Sequence, residues 1–221
     1  MTEHVAGRQE RHEFDVELEA IDAQVIELFT MVSDDLPRAT DALLTGNSET
    51  VRALTERDLV IDALYPKIED LADRELVLQQ PVAKDLRLLV SVLRVVPELE
   101  RSHDLIVDIA RRGNLVLSED FSPRSRALIE HMGSLASDMW RQAVDCWGQR
   151  DRTAAAALGQ SDDEMGELYA SFMAELASGR MTLPVTMEMT LVARCYERLA
   201  HHALNIARRV VYLAGHAPRQ E

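Results

Sequence analysis

Two stretches of the chain repeat one another. Glu100-Arg101-Ser102-His103-Asp104-Leu105-Ile106-Val107-Asp108-Ile109-Ala110-Arg111-Arg112 recurs about 97 residues later as Glu197-Arg198-Leu199-Ala200-His201-His202-Ala203-Leu204-Asn205-Ile206-Ala207-Arg208-Arg209. Glu-Arg heads both copies and Ile-Ala-Arg-Arg closes both. An internal repeat of that period requires a fold that contains one helical unit twice.

The periodicity along the chain supplies the units. Over residues 8–45, Phe14, Leu18, Ile21, Val25, Leu28, Val32, Leu36, Ala39 and Leu43 advance by three or four, the spacing of one long helix. Pro37 lies inside it and should bend it or tighten a turn. Gly46 is the expected C-terminal cap, with Asn47 or Ser48 capping the next helix. That second helix runs over about 48–75 and carries Val51, Leu54, Ile61, Leu64, Ile68 and Leu71. Pro81 marks the first turn of a third helix, which Gly113-Asn114 ends. The polar stretch 114–123 is the natural boundary between halves. Beyond it, helices are expected over 123–148, ending at Gly148, over 151–178, ending at Gly179, and over 181–214, with Pro184 in the first turn and Gly215 at the close. The expected architecture is all-α, two tandem antiparallel three-helix bundles over 8–113 and 123–215, flanked by flexible tails at 1–7 and 216–221.

Composition narrows the function. With 38 acidic against 24 basic residues, the chain has a formal charge of −14 and a pI near 4.9. That field repels phosphate backbones and argues against direct nucleic-acid binding. The N-terminus has no apolar signal region, and no window of about 18 apolar residues follows, so a cytoplasmic protein that does not span a membrane is expected. Cys146 and Cys195 have no CxxC partner and read as buried small hydrophobes. No GxGxxG, GxxxxGK[ST] or GxSxG occurs, which leaves nucleotide hydrolysis and serine acyl transfer without machinery. Glu100-x-x-His103 has the form used twice in ferritin-like di-iron bundles, but the repeat copy has Ala200 where the second His would stand.

Carboxylates carry the one chemical signal. Glu100, Asp104 and Asp108 are four apart on a helix, so they stack on one face, where like charges repel. Asp58 and Asp62 repeat that spacing on the second helix, with Tyr65 and Glu69 continuing nearly the same face. Pro66 deprives the Asp62 carbonyl of its intrahelical partner, which suits either a kink or a hard cation. The plain alternative is a solvated face whose acids pair with Arg101, Arg111, Arg112 and Arg198. In the second half Asp162 and Leu168-Tyr169 answer Asp58 and Leu64-Tyr65, but Gly166 replaces Asp62. Glu197, His201 and Asn205 stand for Glu100, Asp104 and Asp108. His201 and His202 also read as a helix-surface pair titrating near neutrality. No basic nest for phosphate is apparent.

Four motifs in order, Asp58-x-x-x-Asp62-x-x-Tyr65, Gln80-Pro81-Val82-Ala83-x-Asp85-Leu86-Arg87, Leu99-Glu100-Arg101-x-x-Asp104 and Tyr196-Glu197-Arg198-Leu199-Ala200-His201-His202-Ala203-x-Asn205-Ile206-Ala207, resemble those of the PhoU family over nearly the whole chain. The resemblance implies two three-helix bundles related by a pseudo-twofold. It implies a multinuclear metal site of Mg, Mn or Fe on Asp58, Asp62, Glu100, Asp104 and Asp108. A second set, Asp162, Glu197, His201 and Asn205, departs from the pattern and would hold a weaker or different metal, or none. It further implies a non-enzymatic regulator of phosphate homeostasis, a homodimer, that links the ATPase subunit of the phosphate ABC transporter to a sensor histidine kinase. The alternative is a divergent metal-binding relative with no part in phosphate sensing.

Overall fold

The computed structural model describes residues 2–113 and 121–215, with side chains from residue 11 onward. Among the described residues six helices follow in order: α1 Thr2–Thr45, α2 Ser48–Gln79, α3 Ala83–Ala110, α4 Pro123–Gln149, α5 Arg152–Leu176 and α6 Leu183–Leu213. No strand occurs among the described residues. The first three helices form one antiparallel bundle and the last three another; α1 also lies on α4, and α3 on α6.

Local chemistry sets most helix ends. Asn47, extended at ψ 97°, accepts hydrogen bonds from the amides of Glu49 and Thr50, satisfying donors that the first turn of α2 leaves free. Asp151 does the same for α5 and Ser122 for α4, where Pro123 occupies a position that needs no donor. Gly46, Gly179 and Gly215 all take left-handed conformations just past their helices.

Four expectations change. α1 begins at Thr2, so residues 2–7 continue the helix instead of forming a tail. α2 runs on to Gln79, and α3 starts at Ala83 behind the cap residue Val82, so Pro81 lies outside the helix that it was expected to open. Gly148 does not end α4; the helix passes it, and Arg150 takes the left-handed position at φ 56°. Side-chain contacts hold a non-glycine residue there. The Arg150 guanidinium lies over the Trp147 ring at 4.8 Å and donates to the Trp147 carbonyl and the Asp22 carboxylate. The fourth change is at the end of α3, which stops at Ala110, while Gly113 packs where a Cβ would fall 2.4 Å from the Ala42 carbonyl oxygen. Asn114 and most of the expected boundary segment, together with the expected tail at 216–221, lie outside the described residues.

One hydrophobic core runs through both halves. Its seam is the contact of α1 with α4. Trp140 and Trp147 are fully buried against Phe29, with ring centroids 6.5 and 5.6 Å away. Gly133 lets α4 approach so closely that a Cβ there would lie 2.5 Å from Thr40. The Thr40 hydroxyl in turn bonds the Tyr196 hydroxyl of α6 at 2.9 Å, tying three helices together. Cys146 and Cys195 are buried free thiols, as expected, and burial raises the pKa of Cys195 to about 11.

Candidate functional site

The acids of the first bundle come from two facing helices. α2 supplies Asp58 and Asp62, and α3 supplies Glu100, Asp104 and Asp108, each set at the four-residue spacing that stacks side chains on one face. They sense each other electrostatically. The Glu100 carboxyl is pushed above its ordinary range, first by partial burial and then by the charges of Asp104, Asp62 and Asp58, with Arg101 offsetting part of the effect. Asp104 is raised for the same reasons, burial first, then Asp58, Asp62 and Asp108. A groove of about 370 Å³ runs beside them, where Asp58, Asp104 and Asp108 face Arg101, Arg111 and Arg198. Glu69 stands apart, its carboxyl raised by partial burial and by Asp73 and Asp70.

As a donor set these five side chains fit a hard cation, because all are carboxylates. Their present arrangement is not a closed cage: among the described residues no three His, Cys, Asp or Glu side chains are gathered as metal ligands. Asp58 is also occupied from behind by His103.

That histidine is the part of the site the sequence reading missed. His103 and Asp35 are both fully buried. The imidazole bridges two helices, with Nδ1 2.7 Å from Asp58 Oδ1 of α2 and Nε2 3.1 Å from Asp35 Oδ2 of α1. Both partners are carboxylates, so both ring nitrogens donate and the ring is the imidazolium. Burial by itself works against that charge, but the hydrogen bonds to Asp35 and Asp58 outweigh it and raise the pKa. Asp35 is further held by Arg38 Nη1 at 2.7 Å and Arg57 Nε at 3.2 Å. The bridge therefore anchors Asp58, on the acidic face, to the middle of the core. A signal for it existed: Asp35 and His103 fall in register with the apolar stripes of α1 and α3, where a charged residue needs a partner.

In the second bundle the corresponding residues separate. His201 Nε2 lies 3.4 Å from Asp162 Oδ2, a contact between α6 and α5. Asp162 Oδ1 is buried without a hydrogen-bond partner among the described residues. Glu197 is taken by Arg194 on its own helix. Asn205 lines a different groove, beside Arg94, Arg101, Arg208 and Arg209. The expected surface pair of histidines also divides. His201 is exposed, whereas His202 is largely buried. Ser102 spends its one hydrogen on the Glu98 carbonyl at 2.6 Å, so it accepts from His202 Nδ1 at 2.8 Å. Burial, then the charges of Arg198, Arg101 and His201, lower the His202 pKa to about 4, so this ring is neutral near pH 7.

Comparison with known proteins decides the family. The PhoU domain model matches residues 25–113 and again 129–210. The chain belongs to the PhoU family. Its curated relatives include the phosphate-specific transport system accessory protein PhoU homolog of Pseudomonas aeruginosa, 30% identical over 96% of this chain and 88% of that one. The homolog of the same name from Aquifex aeolicus is 33% identical over 90% and 91%. The crystal structure of PhoU from P. aeruginosa superposes with a TM-score of 0.84 at 30% identity, covering 91% of this chain and 98% of that chain. The two matches of the PhoU model correspond to the two bundles, as the internal repeat requires.

The like charges of the acidic face make one prediction for this PhoU protein. A carboxylate whose folded pKa is raised binds its proton more readily folded than unfolded, so its repulsion destabilises the fold at neutral pH and fades as pH falls through the raised value. Asp104 is open to solvent, which screens the effect. Asp104→Asn, melted in chelator at neutral pH, is expected to be more stable than the wild type by about 0.5 kcal/mol. The gain should shrink on acidification. A lower melting temperature for the variant would mean that attractive partners, not repulsion, dominate at Asp104.

Proposed function

We propose that this chain is a cytoplasmic, non-enzymatic accessory regulator of phosphate transport. In this reading it restrains the phosphate-starvation response when phosphate is plentiful, by linking the ATPase subunit of the phosphate ABC transporter to a sensor histidine kinase. The observation that carries the reading is the match of both repeats, across nearly the whole chain, to relatives named as phosphate-specific transport accessory proteins. Two features of the molecule support a docking role. No helix among the described residues is long and apolar enough to cross a membrane. The acidic α2/α3 face offers a charged surface that complements basic ground on a partner and steers its approach.

A hard cation belongs to the same proposal. Mg, Mn or Fe held by Asp58, Asp62, Glu100, Asp104 and Asp108 would neutralise the mutual repulsion of the acids and stiffen the α2/α3 pair. The weaker set of Asp162, Glu197, His201 and Asn205 would contribute little, since Glu197 and Asn205 already face elsewhere. A homodimer is also proposed, with Leu183, Met187 and Leu191, exposed four residues apart along α6, as apolar ground for it.

Deleting the gene should raise a phosphate-starvation reporter in phosphate-rich medium, and the wild-type chain should restore repression. A variant with Asp58→Asn, Asp62→Asn, Glu100→Gln and Asp104→Asn, purified and assayed for metal and for capture of the transporter ATPase, should lose both. An unchanged reporter on deletion would overturn the phosphate reading. It would favour the alternative, a PhoU relative that binds metal without sensing phosphate.

A further inference from the structure

The groove between α3 and α6 runs against the charge of the molecule. In a chain with 38 acidic and 24 basic residues, Arg94 and Arg101 of α3 and Arg208 and Arg209 of α6 converge on a hollow of about 660 Å³. Arg94, Arg101 and Arg208 have no ion-pair partner among the described residues, whereas Arg11, Arg38, Arg57, Arg74 and Arg112 elsewhere each have one. Arg209 lies over the Tyr212 ring at 5.0 Å. Its pKa is lowered, first by partial burial and then by the nearby charge of Arg94, so these two guanidiniums crowd one another. Glu98 is the one carboxylate among the lining residues. Its Oε2 is buried with no hydrogen-bond partner among the described residues, and burial raises its pKa against the opposing charges of Arg101 and Arg198.

The internal repeat accounts for one acid that this groove lacks. Arg101, Asp104, Asp108 and Arg111 line the acidic groove, and their counterparts are Arg198, His201, Asn205 and Arg208. Where the first copy sets Asp108 one turn before Arg111, the second sets neutral Asn205 before Arg208. The change from Asp108 to Asn205 thus removes a carboxylate from beside Arg208, while Arg111, its counterpart, keeps Asp108 in the same groove.

We propose that the α3/α6 groove is a binding site for a small anion carrying two or more linked phosphoryl groups, gripped by Arg94, Arg101, Arg208 and Arg209. Guanidinium forks match phosphoryl oxygens in pairs, and four of them exceed what a single orthophosphate can occupy. A compact anion inside the groove lies within about one Debye length, roughly 8–10 Å, of all four charges. A longer acidic protein segment would extend over the negative surface around them and be repelled. The inference is independent of docking to a transporter and survives if that reading fails.

Calorimetric titration of the full chain at neutral pH and low salt tests it, with tripolyphosphate, ATP and orthophosphate as separate titrants. Tripolyphosphate is expected to bind saturably, at least about tenfold more tightly than orthophosphate, and to weaken as salt rises. The double variant Arg94→Ala and Arg208→Ala should lose about tenfold or more in affinity with its melting temperature unchanged, because both side chains are exposed and unpaired. Should the pair melt early, Arg208→Ala alone carries the comparison. Arg111→Ala, the repeat counterpart beside the acids, should change binding less than about twofold. ATP binding like tripolyphosphate would place recognition in the phosphoryl chain alone, and tighter ATP binding would identify a nucleotide; both support the site. No saturable tripolyphosphate binding, equal affinity for orthophosphate, or an equal loss in Arg111→Ala would overturn it.

Discussion

Asp35→Ala is expected to lower the melting temperature by about 10 °C, one of the two largest single-residue effects foreseen for this protein. The carboxylate is wholly buried and gathers three cations, His103, Arg38 and Arg57. Removing one member of a buried charged network costs about 3–5 kcal/mol, since the partners left behind keep their desolvation without their compensation. For a chain of this length each kcal/mol shifts the midpoint by about 2–4 °C. Arg38 and Arg57 are partly exposed and can turn to water, but His103 cannot, so its share dominates. The raised pKa of His103 gives that share a pH signature. A folded pKa above the unfolded value, about 6.5, means stability fully present below 6.5 and lost as pH rises through the folded value. The gap between wild type and variant should therefore narrow on the alkaline side. A gap that is small, or that widens with alkali, would show that His103 is neutral in the fold. The functional consequence lies at the acidic face, because Asp58 would lose the anchored imidazolium behind it.

Trp140→Ala is expected to cost a similar amount, about 3–5 kcal/mol, by leaving a large cavity where α4 meets α1 and α6. The indole is fully buried, packs on Phe29 of α1, and donates Nε1–H to the Leu199 carbonyl of α6 at 3.1 Å. Trp140→Phe separates packing from hydrogen bonding. Much of the volume stays, and the abandoned carbonyl belongs to a helix, so the cost should fall to about 1–2 kcal/mol. Chemical denaturation of both variants measures the difference. Equal costs would mean that the hydrogen bond, not the packing, holds the seam. Because both bundles meet there, loosening it should also disturb the α3/α6 groove.

The helices were legible because each depends on neighbours in the chain. The apolar stripe from Phe14 to Leu43 is buried throughout, and the caps at Asn47, Gly46, Gly179 and Gly215 are local hydrogen-bond chemistry. Gly148 misled because the left-handed residue is chosen by whichever side chain can be held there, and Trp147 and Asp22 hold Arg150. The acidic face was half legible. Four-residue spacing places Glu100, Asp104 and Asp108 on one face of α3, but the meeting with Asp58 and Asp62 depends on how α2 packs against α3. The His103 bridge joins residues 45 and 68 positions away, and no short window contains that distance.

By itself the sequence determined the class of fold, its duplication and the family, since these rest on periodicity and on order along the chain. Only the tertiary structure decided which charges meet. It buried Asp35 and His103 together, gave Glu197 to Arg194, buried His202 beside Ser102, and turned Asn205 toward four arginines. The physical reason is that a charge's partner is chosen by distance in space, and helix packing brings together residues about 100 positions apart, such as Ser102 and His202.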